Sequence, residues 1–183
     1  QQVKILNDYS PGRPISHNFM GHFTEFDHRE ICKDLNIAAW DSYPLGFLQN
    51  MQTIARGDKK LLEDCYNIGD PDFQSYHHDL YRGMGRLWIM EQQPGPVNWA
   101  RYNPIPIAGA VRMWTWEAFA HDAEVVSYFR WRQAPFAQEQ MHAGLMYRNN
   151  TPAIGSHEVM QVSNEIQMLK LPETQKSEIA LLH

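Results

Sequence analysis

The chain has 183 residues, of which 43% are hydrophobic and 20% charged, so it carries enough apolar mass for one globular domain but little for two. Its formal net charge of −5 comes without any cluster of Lys and Arg, which leaves no electrostatic surface for a nucleic acid backbone. No run of the sequence approaches the roughly 20 apolar residues that cross a bilayer. We therefore expect neither a nucleic acid nor a membrane as a partner.

The two cysteines, Cys32 and Cys65, lie far apart and outside any CxxC pattern. Their spacing indicates neither a disulfide framework nor a zinc site, and it favours a reducing compartment. We expect a cytoplasmic location. The first residue is Gln1 rather than Met, so the sequence says nothing about a signal peptide.

Short apolar runs alternate with helical patterns, which is typical of repeated βα units around a parallel sheet. In chain order, the patterns predict a strand over 14–20, a helix over 27–35, a strand over 37–43 stopped by Pro44, an irregular loop over 47–79, a helix over 77–82 and a strand over 86–91. A helix over 109–121, a strand over 124–131 and a loop over 138–146 that turns helical follow. Ser156 is predicted to cap a last helix, with Val159, Val162, Ile166 and Leu169 facing the core and Pro172 ending it. Residues 177–182 resemble a further strand.

Four βα units form either half of an eight-stranded (β/α)₈ barrel or a small open sheet. In a barrel, the residues at the carboxyl ends of the strands carry the chemistry. Glu91, Asp41 with Tyr43, and Phe129 with Trp131 occupy such positions. No glycine-rich phosphate-binding fingerprint follows a strand, which disfavours a nucleotide-binding sheet.

Glu91 ends an apolar strand and is followed directly by a loop rich in Pro and Gly. Glycoside hydrolysis uses two carboxyl groups, which a retaining enzyme holds roughly 5–5.5 Å apart so that one attacks the sugar and the other protonates the leaving group. Glu91 suits the attacking role. The alternative is a structural glutamate paired with Arg86 or Arg101.

The aromatic content has two explanations as well. Six Trp and eight Tyr, concentrated between Trp88 and Trp131, are well suited to stack on sugar rings, and equally to fill a core. Among the charged groups, we expect Glu117 and Asp122 to be charges on a helix surface. His77, His78 and Asp79 do not predict a metal site, because adjacent residues on a helix diverge in direction.

Four runs of the sequence resemble glycoside hydrolase family 42: WDSYPLG at 40–46, MEQQPGPVNW at 90–99, VSYFRWRQ at 126–133 and FAQEQMHAGL at 136–145. The resemblance implies a (β/α)₈ TIM barrel of a β-galactosidase in which Glu91 is the catalytic nucleophile. It also implies that residues 1–172 form the C-terminal half of the catalytic barrel, strands five to eight. Residues 173–183 would then be a linker and the first strand of a following domain of the trimerisation type. The acid/base glutamate would lie outside this sequence, and this chain alone is expected to be inactive.

The resemblance also assigns substrate-binding residues. It implies that Trp99 stacks on or bounds the galactosyl ring, that Phe129 lines the pocket, and that Glu139 and His142 bind ring hydroxyls. If their segment is helical, residues three apart share a face and can converge on one ligand, whereas without the resemblance they would be a solvated helix pair. Tyr43 is expected to contact the nucleophile or the sugar, with core packing as the equal alternative.

The implied function is hydrolysis of terminal β-D-galactose from β-galactosides by a retaining double displacement, with no cofactor and no metal. The expected partners are a β-galactoside substrate and further copies of the protein, as a homotrimer. Two alternatives stay open from the sequence: a non-catalytic galactoside-binding barrel, and a β-glycosidase of other sugar specificity, such as an arabinosidase or fucosidase.

Overall fold

The computed structural model describes residues 1–21, 23–49 and 59–169. Its centre is a parallel sheet of four strands in chain order, each hydrogen-bonded to the next. The strands are β1 (Ser16–Met20), β2 (Ile37–Ser42), β3 (Arg86–Gln92) and β4 (Val125–Tyr128). This order confirms the predicted βα units, and with the helices between its strands the sheet has the architecture of a section of a (β/α)₈ barrel.

One helix precedes the first strand, and the others lie between or after the strands along the chain. They are α1 (Gln2–Tyr9), α2 (His28–Cys32), α3 (Pro44–Phe47), α4 (Lys59–Cys65), α5 (Pro71–Arg82), α6 (Ala110–Ala120) and α7 (Ile154–Met168), with a 3₁₀ helix over Gln138–Met141. Helix α5 packs on β2 and β3, and α6 packs on α7. No helix of these described residues is long and apolar enough to cross a membrane.

The core lies between the outer face of the sheet and helix α5. Successive residues of a strand point to opposite faces, so the residues of β2 alternate between this core and the inner face. Trp40 is fully buried and stacks on Tyr81, with ring centroids 5.7 Å apart. Its indole nitrogen donates to Nδ1 of His78 at 3.2 Å. Burial lowers the pKa of His78 to about 3, so this ring is a neutral core residue.

Helix α5 begins six residues earlier than predicted. Asp70 is its N-cap and accepts a hydrogen bond from the backbone N–H of Asp72 at 3.0 Å, and Pro71 occupies the first turn. An acidic cap followed by proline is a helix-start signal, because proline has no N–H to lose there. The prediction of an irregular loop over these residues was therefore wrong.

The start of α7 was also predicted wrongly. Ala153 is its N-cap, and Ser156 lies buried inside the first turn. Val162 is buried as predicted, but Leu169 is 54% exposed and does not face the core. Pro172 and the strand predicted over 177–182 lie outside the described residues.

Candidate active site

A register shift in the sheet places Glu91 on the inner face. Trp40 of β2 pairs with Ile89, but the next residue of β2, Asp41, pairs with Glu91, so Met90 is the extra residue of a bulge. A bulge changes the face to which the following side chains point and is often found beside active sites. Glu91 therefore lies beside Asp41 at the carboxyl end of the sheet.

Two side chains from neighbouring strands donate hydrogen bonds to the carboxylate of Glu91. Nδ2 of Asn18 on β1 lies 3.1 Å from Oε1, and the hydroxyl of Tyr43 lies 2.5 Å from Oε2. Asn18 reaches across β2, where the inner-face residue is the small Ala39. Arg86, the partner expected for a structural glutamate, instead binds Glu124 at 2.6 Å. Glu91 is thus oriented by donors at both oxygens.

Tyr43 is a hydrogen-bond donor by electrostatics as well as by geometry. Its side chain is only 4% exposed. Burial, followed by the hydrogen bond and charge of Glu91, raises the pKa of Tyr43 far above its ordinary value. The phenol stays protonated and can only donate to the carboxylate. The structure shows Tyr43 in both of the expected positions: its hydroxyl contacts Glu91, and its ring packs in the buried core.

The ring of Trp99 lies against the loop that follows β2. A Cβ added to Gly46 would meet Cη2 of Trp99 at 2.4 Å, so only a glycine permits this contact. Phe47 and Tyr43 border the indole, with ring centroids 5.6 and 5.5 Å from it. Trp99 is nevertheless 38% exposed. An indole that is packed on one side and accessible on the other is a suitable surface for stacking a sugar ring.

His142 is buried with one ring nitrogen unpaired. Nδ1 lies 3.1 Å from Oδ1 of Asn98, which can only accept, so Nδ1 carries the proton and Nε2 is an acceptor. Nε2 is buried and has no hydrogen-bond partner among the described residues. Burial, then the charge of Arg130, lowers the pKa of His142 to about 4. The ring is therefore a neutral acceptor, suited to a hydroxyl donor.

The structure does not place Glu139 and His142 on one helical face. The 3₁₀ helix ends at Met141, and His142 follows it in extended conformation. The carboxylate of Glu139 instead forms an ion pair with Arg130 and is half exposed. Phe129 lies against His142, with ring centroids 5.2 Å apart and planes nearly perpendicular. Phe129 and His142 therefore meet beside the site, while Glu139 is paired with Arg130, a partner that was not predicted from the sequence.

Two glutamines of the run at 90–99 hold the loops around the site, a role that the sequence analysis missed. Oε1 of Gln93 accepts from the backbone N–H groups of Leu45 and Gly46, at 3.1 and 3.4 Å. Gln92 donates to the carbonyl of Ser42 at 3.3 Å. Both glutamines are fully buried. Paired glutamines directly after a strand-end carboxylate were the available signal, since buried amides need partners.

Among the residues that the structure describes, no three His, Cys, Asp or Glu side chains lie close enough together to hold a metal ion. The candidate site consists of the carboxylate of Glu91, its donors Asn18 and Tyr43, and the aromatic surface of Trp99.

The fold is close to that of solved β-galactosidases. The enzyme from the psychrophilic Marinomonas ef1 superposes with a TM-score of 0.86 at 55% sequence identity, over 91% of this chain and 25% of that one. The enzyme from Halorubrum lacusprofundi superposes with a TM-score of 0.85 at 39% identity, over 92% of this chain and 25% of that one. The fold and the site together define a section of the (β/α)₈ barrel of a glycoside hydrolase.

Sequence comparison assigns the family. The profile of glycoside hydrolase family 42, described as β-galactosidase, matches residues 1–169, so the chain belongs to that family. β-Galactosidases of a Thermus species and of Thermus thermophilus are 55% and 54% identical to it over 183 residues. Each alignment covers 99% of this chain and 28% of the relative, so the chain spans little more than a quarter of those proteins.

Proposed function

We propose that the complete protein hydrolyses terminal β-D-galactose from β-galactosides with retention of configuration, and that Glu91 is the nucleophile. The observation that carries this proposal is the pair of donors, Asn18 and Tyr43, that hold the Glu91 carboxylate on the inner face of the sheet. Membership of the family supports the reaction class. The substrate class comes from the printed names of the relatives.

The reaction takes place in two displacements. In the first, an oxygen of Glu91 bonds to the anomeric carbon while the glycosidic C–O bond breaks, and the departing oxygen takes a proton from a carboxylic acid. That acid would come from a part of the protein outside these 183 residues. In the second, the same group, now a carboxylate, takes a proton from water, whose oxygen replaces Glu91 at the anomeric carbon. Galactose leaves with its original configuration.

Three further side chains of this chain would bind the sugar. Trp99 offers its exposed face to the apolar side of the ring, and Nε2 of His142 accepts a hydrogen bond from a hydroxyl. Glu139 would accept from a second hydroxyl while it keeps its ion pair with Arg130. Phe129 forms the wall behind His142.

The resemblance to family 42 supports two further proposals on the organisation of the protein, and the cysteines support a third on its location. Residues 1–172 form a section of the catalytic barrel, and residues 173–183 begin a following domain through which the protein forms a homotrimer. Light scattering of the complete protein tests the trimer, since a monomer or dimer would contradict it.

The free thiols of Cys32 and Cys65 favour a cytoplasmic location.

The substitution Glu91→Gln in the complete protein tests the nucleophile. It keeps the shape of the side chain and one oxygen to accept from Asn18, its NH2 group can donate to the Tyr43 hydroxyl, and it removes the attacking charge. We expect an unchanged melting temperature and a loss of turnover of at least about 10³-fold, because removing one member of a catalytic set commonly costs that much or more. Glu124→Gln, which removes a carboxylate from the surface pair with Arg86, is the matched control and should stay active. Substantial turnover by Glu91→Gln would overturn the assignment of the nucleophile. If the unmodified protein binds galactose but hydrolyses no galactoside, the non-catalytic alternative is favoured.

A further inference from the structure

A second carboxyl group lies beside Glu91, and neither the proposed chemistry nor the sugar contacts use it. Asp41 is the register partner of Glu91 across β2 and β3 and is only 8% exposed. Its Oδ1 is buried and has no hydrogen-bond partner among the described residues. An ionised carboxylate in such a place has a large desolvation cost, because no donor of the described residues replaces the water lost at this oxygen.

Asn18 links the two carboxyl groups. Its Nδ2 donates to Oε1 of Glu91 at 3.1 Å, and its side chain is near enough to Asp41 to act on the pKa of that carboxyl group as well. An amide nitrogen carries two hydrogens, so one N–H group can serve each carboxyl group. The position of Asn18, and with it the orientation of Glu91, therefore depends on what Asp41 offers as an acceptor.

A buried carboxyl group and a half-buried one this close together do not both ionise readily, since like charges disfavour each other. Glu91 receives donors at both oxygens, from Asn18 and Tyr43. Asp41 shares one donor and has a bare second oxygen. The proton of the pair is thus better placed on Asp41 than on Glu91.

The charges around Asp41 point the same way. Glu91 on β3 is negative, Tyr43 at the end of β2 is a neutral phenol, and Asn18 on β1 is uncharged. Tyr81 of helix α5 lies on the opposite face of the sheet, where burial, followed by nearby negative charge that includes Asp41, raises its pKa and keeps it neutral. Arg130, the cation on this side of the site, acts on Tyr43. Burial, then the charge of Glu91, raises the pKa of Asp41 to about 7 despite the hydrogen bond from Asn18.

We propose that Asp41 is a positioning residue that carries a proton while Glu91 is ionised, and that through Asn18 it holds the Glu91 carboxylate in the orientation for attack. This inference rests on the proposed role of Glu91 as nucleophile. When Asp41 loses its proton, its charge competes for the N–H groups of Asn18 and repels Glu91. The first displacement then slows without any change in sugar binding.

A matched pair of substitutions in the complete protein tests this role. Asp41→Asn keeps the acceptor for Asn18 and cannot ionise, so it mimics the protonated acid, whereas Asp41→Leu keeps the approximate shape and removes the acceptor. The substrate is 2,4-dinitrophenyl β-galactoside, whose leaving group departs without protonation. The acid/base group therefore does not shape the kcat/KM profile of the first displacement.

We expect the unmodified protein to show a decline in kcat/KM as the pH rises through about 7, the value for Asp41, and Asp41→Asn to lack it. Asp41→Leu should lose about 100-fold in kcat/KM, the effect of a misplaced reacting group, and Asp41→Asn should recover at least about tenfold of that loss. A decline that persists in Asp41→Asn would overturn the proposal, and so would equal activity of the two variants. Asp41→Asn decides the question even if Asp41→Leu fails to fold.

Labelling separates this inference from the proposed function. A 2-fluoro-galactosyl donor should still label Glu91 in Asp41→Asn. If Glu91 is labelled and the decline persists, the role of Asp41 fails while the nucleophile stands. If the label lies elsewhere, the proposed function fails first, and the role of Asp41 fails with it.

Discussion

The two sides of the site are built differently. On the β1 to β3 side, Glu91 is held by Asn18 and Tyr43, whose positions are set by the sheet. On the β4 side, Glu139 lies on a short 3₁₀ helix and is held by an ion pair, with half of its side chain exposed. Hydrogen bonds to a carboxylate from buried groups orient it strongly, whereas an exposed ion pair contributes little. The difference suggests that the reacting group is fixed before substrate binds and that part of the sugar contact is adjustable.

Removing the Tyr43 hydroxyl should have the largest effect of the tests that follow. Tyr43→Phe deletes the 2.5 Å hydrogen bond to Glu91 and leaves the ring in place. A hydrogen bond to a charged group contributes about 1.5–3 kcal/mol, so we expect kcat to fall about 10- to 100-fold with little change in KM. Tyr9→Phe, on a side chain that is 86% exposed, is the control. A change in KM alone would place Tyr43 in sugar binding instead.

His142 tests the sugar-binding side. His142→Ala removes the acceptor at Nε2, and we expect kcat/KM to fall by about tenfold, the effect of one neutral hydrogen bond. Exposed His157 supplies the control substitution. In the unmodified protein, galactose affinity should stay constant while the pH is above the His142 pKa of about 4 and fall as the pH drops through it, because the protonated ring no longer accepts. Affinity that declines already near neutral pH would contradict the neutral ring.

Gly46 tests whether the Trp99 platform depends on the loop beneath it. In Gly46→Ala the new Cβ would overlap the indole at 2.4 Å, so Trp99 must move, and we expect KM to rise severalfold with kcat nearly unchanged. Gly85→Ala is the control, since its Cβ would meet no atom closer than 3.7 Å. Equal kinetics in the two variants would show that the Trp99 contact does not contribute to binding.

The smallest effect is expected at the exposed ion pair. Glu139→Gln should change the free energy of unfolding by less than about 1 kcal/mol, because the charges of a half-exposed pair are screened by water. Denaturant titration at two salt concentrations measures this effect. A decrease of several kcal/mol in the free energy of unfolding would mean that the β4 side of the site is held as rigidly as the β3 side. That result would contradict the difference between the two sides.

The polar residues at the strand ends could be predicted from the sequence better than the side chains that contact them. Glu91 and Tyr43 were found because a polar residue that ends an apolar run at a turn points into the site of a parallel sheet. The role of Asn18 could not be predicted, because its contact with Glu91 crosses a whole strand and requires the bulge at Met90. A one-residue bulge changes the face of every later side chain, and no local pattern marks it.

The remaining differences have local causes. The start of α5 was marked by the sequence Asp70-Pro71 and was missed because Gly69 and Pro71 were interpreted as part of an irregular loop. Ser156 was predicted as a cap from its residue type, but the helix starts at Ile154, two residues after Pro152, and buries Ser156 in its first turn. The Arg130–Glu139 pair joins side chains from separate segments, so its formation depends on tertiary packing.

The most direct test of the nucleophile is to trap the complete protein with a 2-fluoro-galactosyl donor that stalls the covalent intermediate, and to map the labelled peptide by mass spectrometry. We predict one 2-fluoro-galactosyl label per chain, on Glu91. The label should be released slowly by water, and the released sugar should have the original anomeric configuration. A label on another residue, such as Glu139, would contradict this prediction.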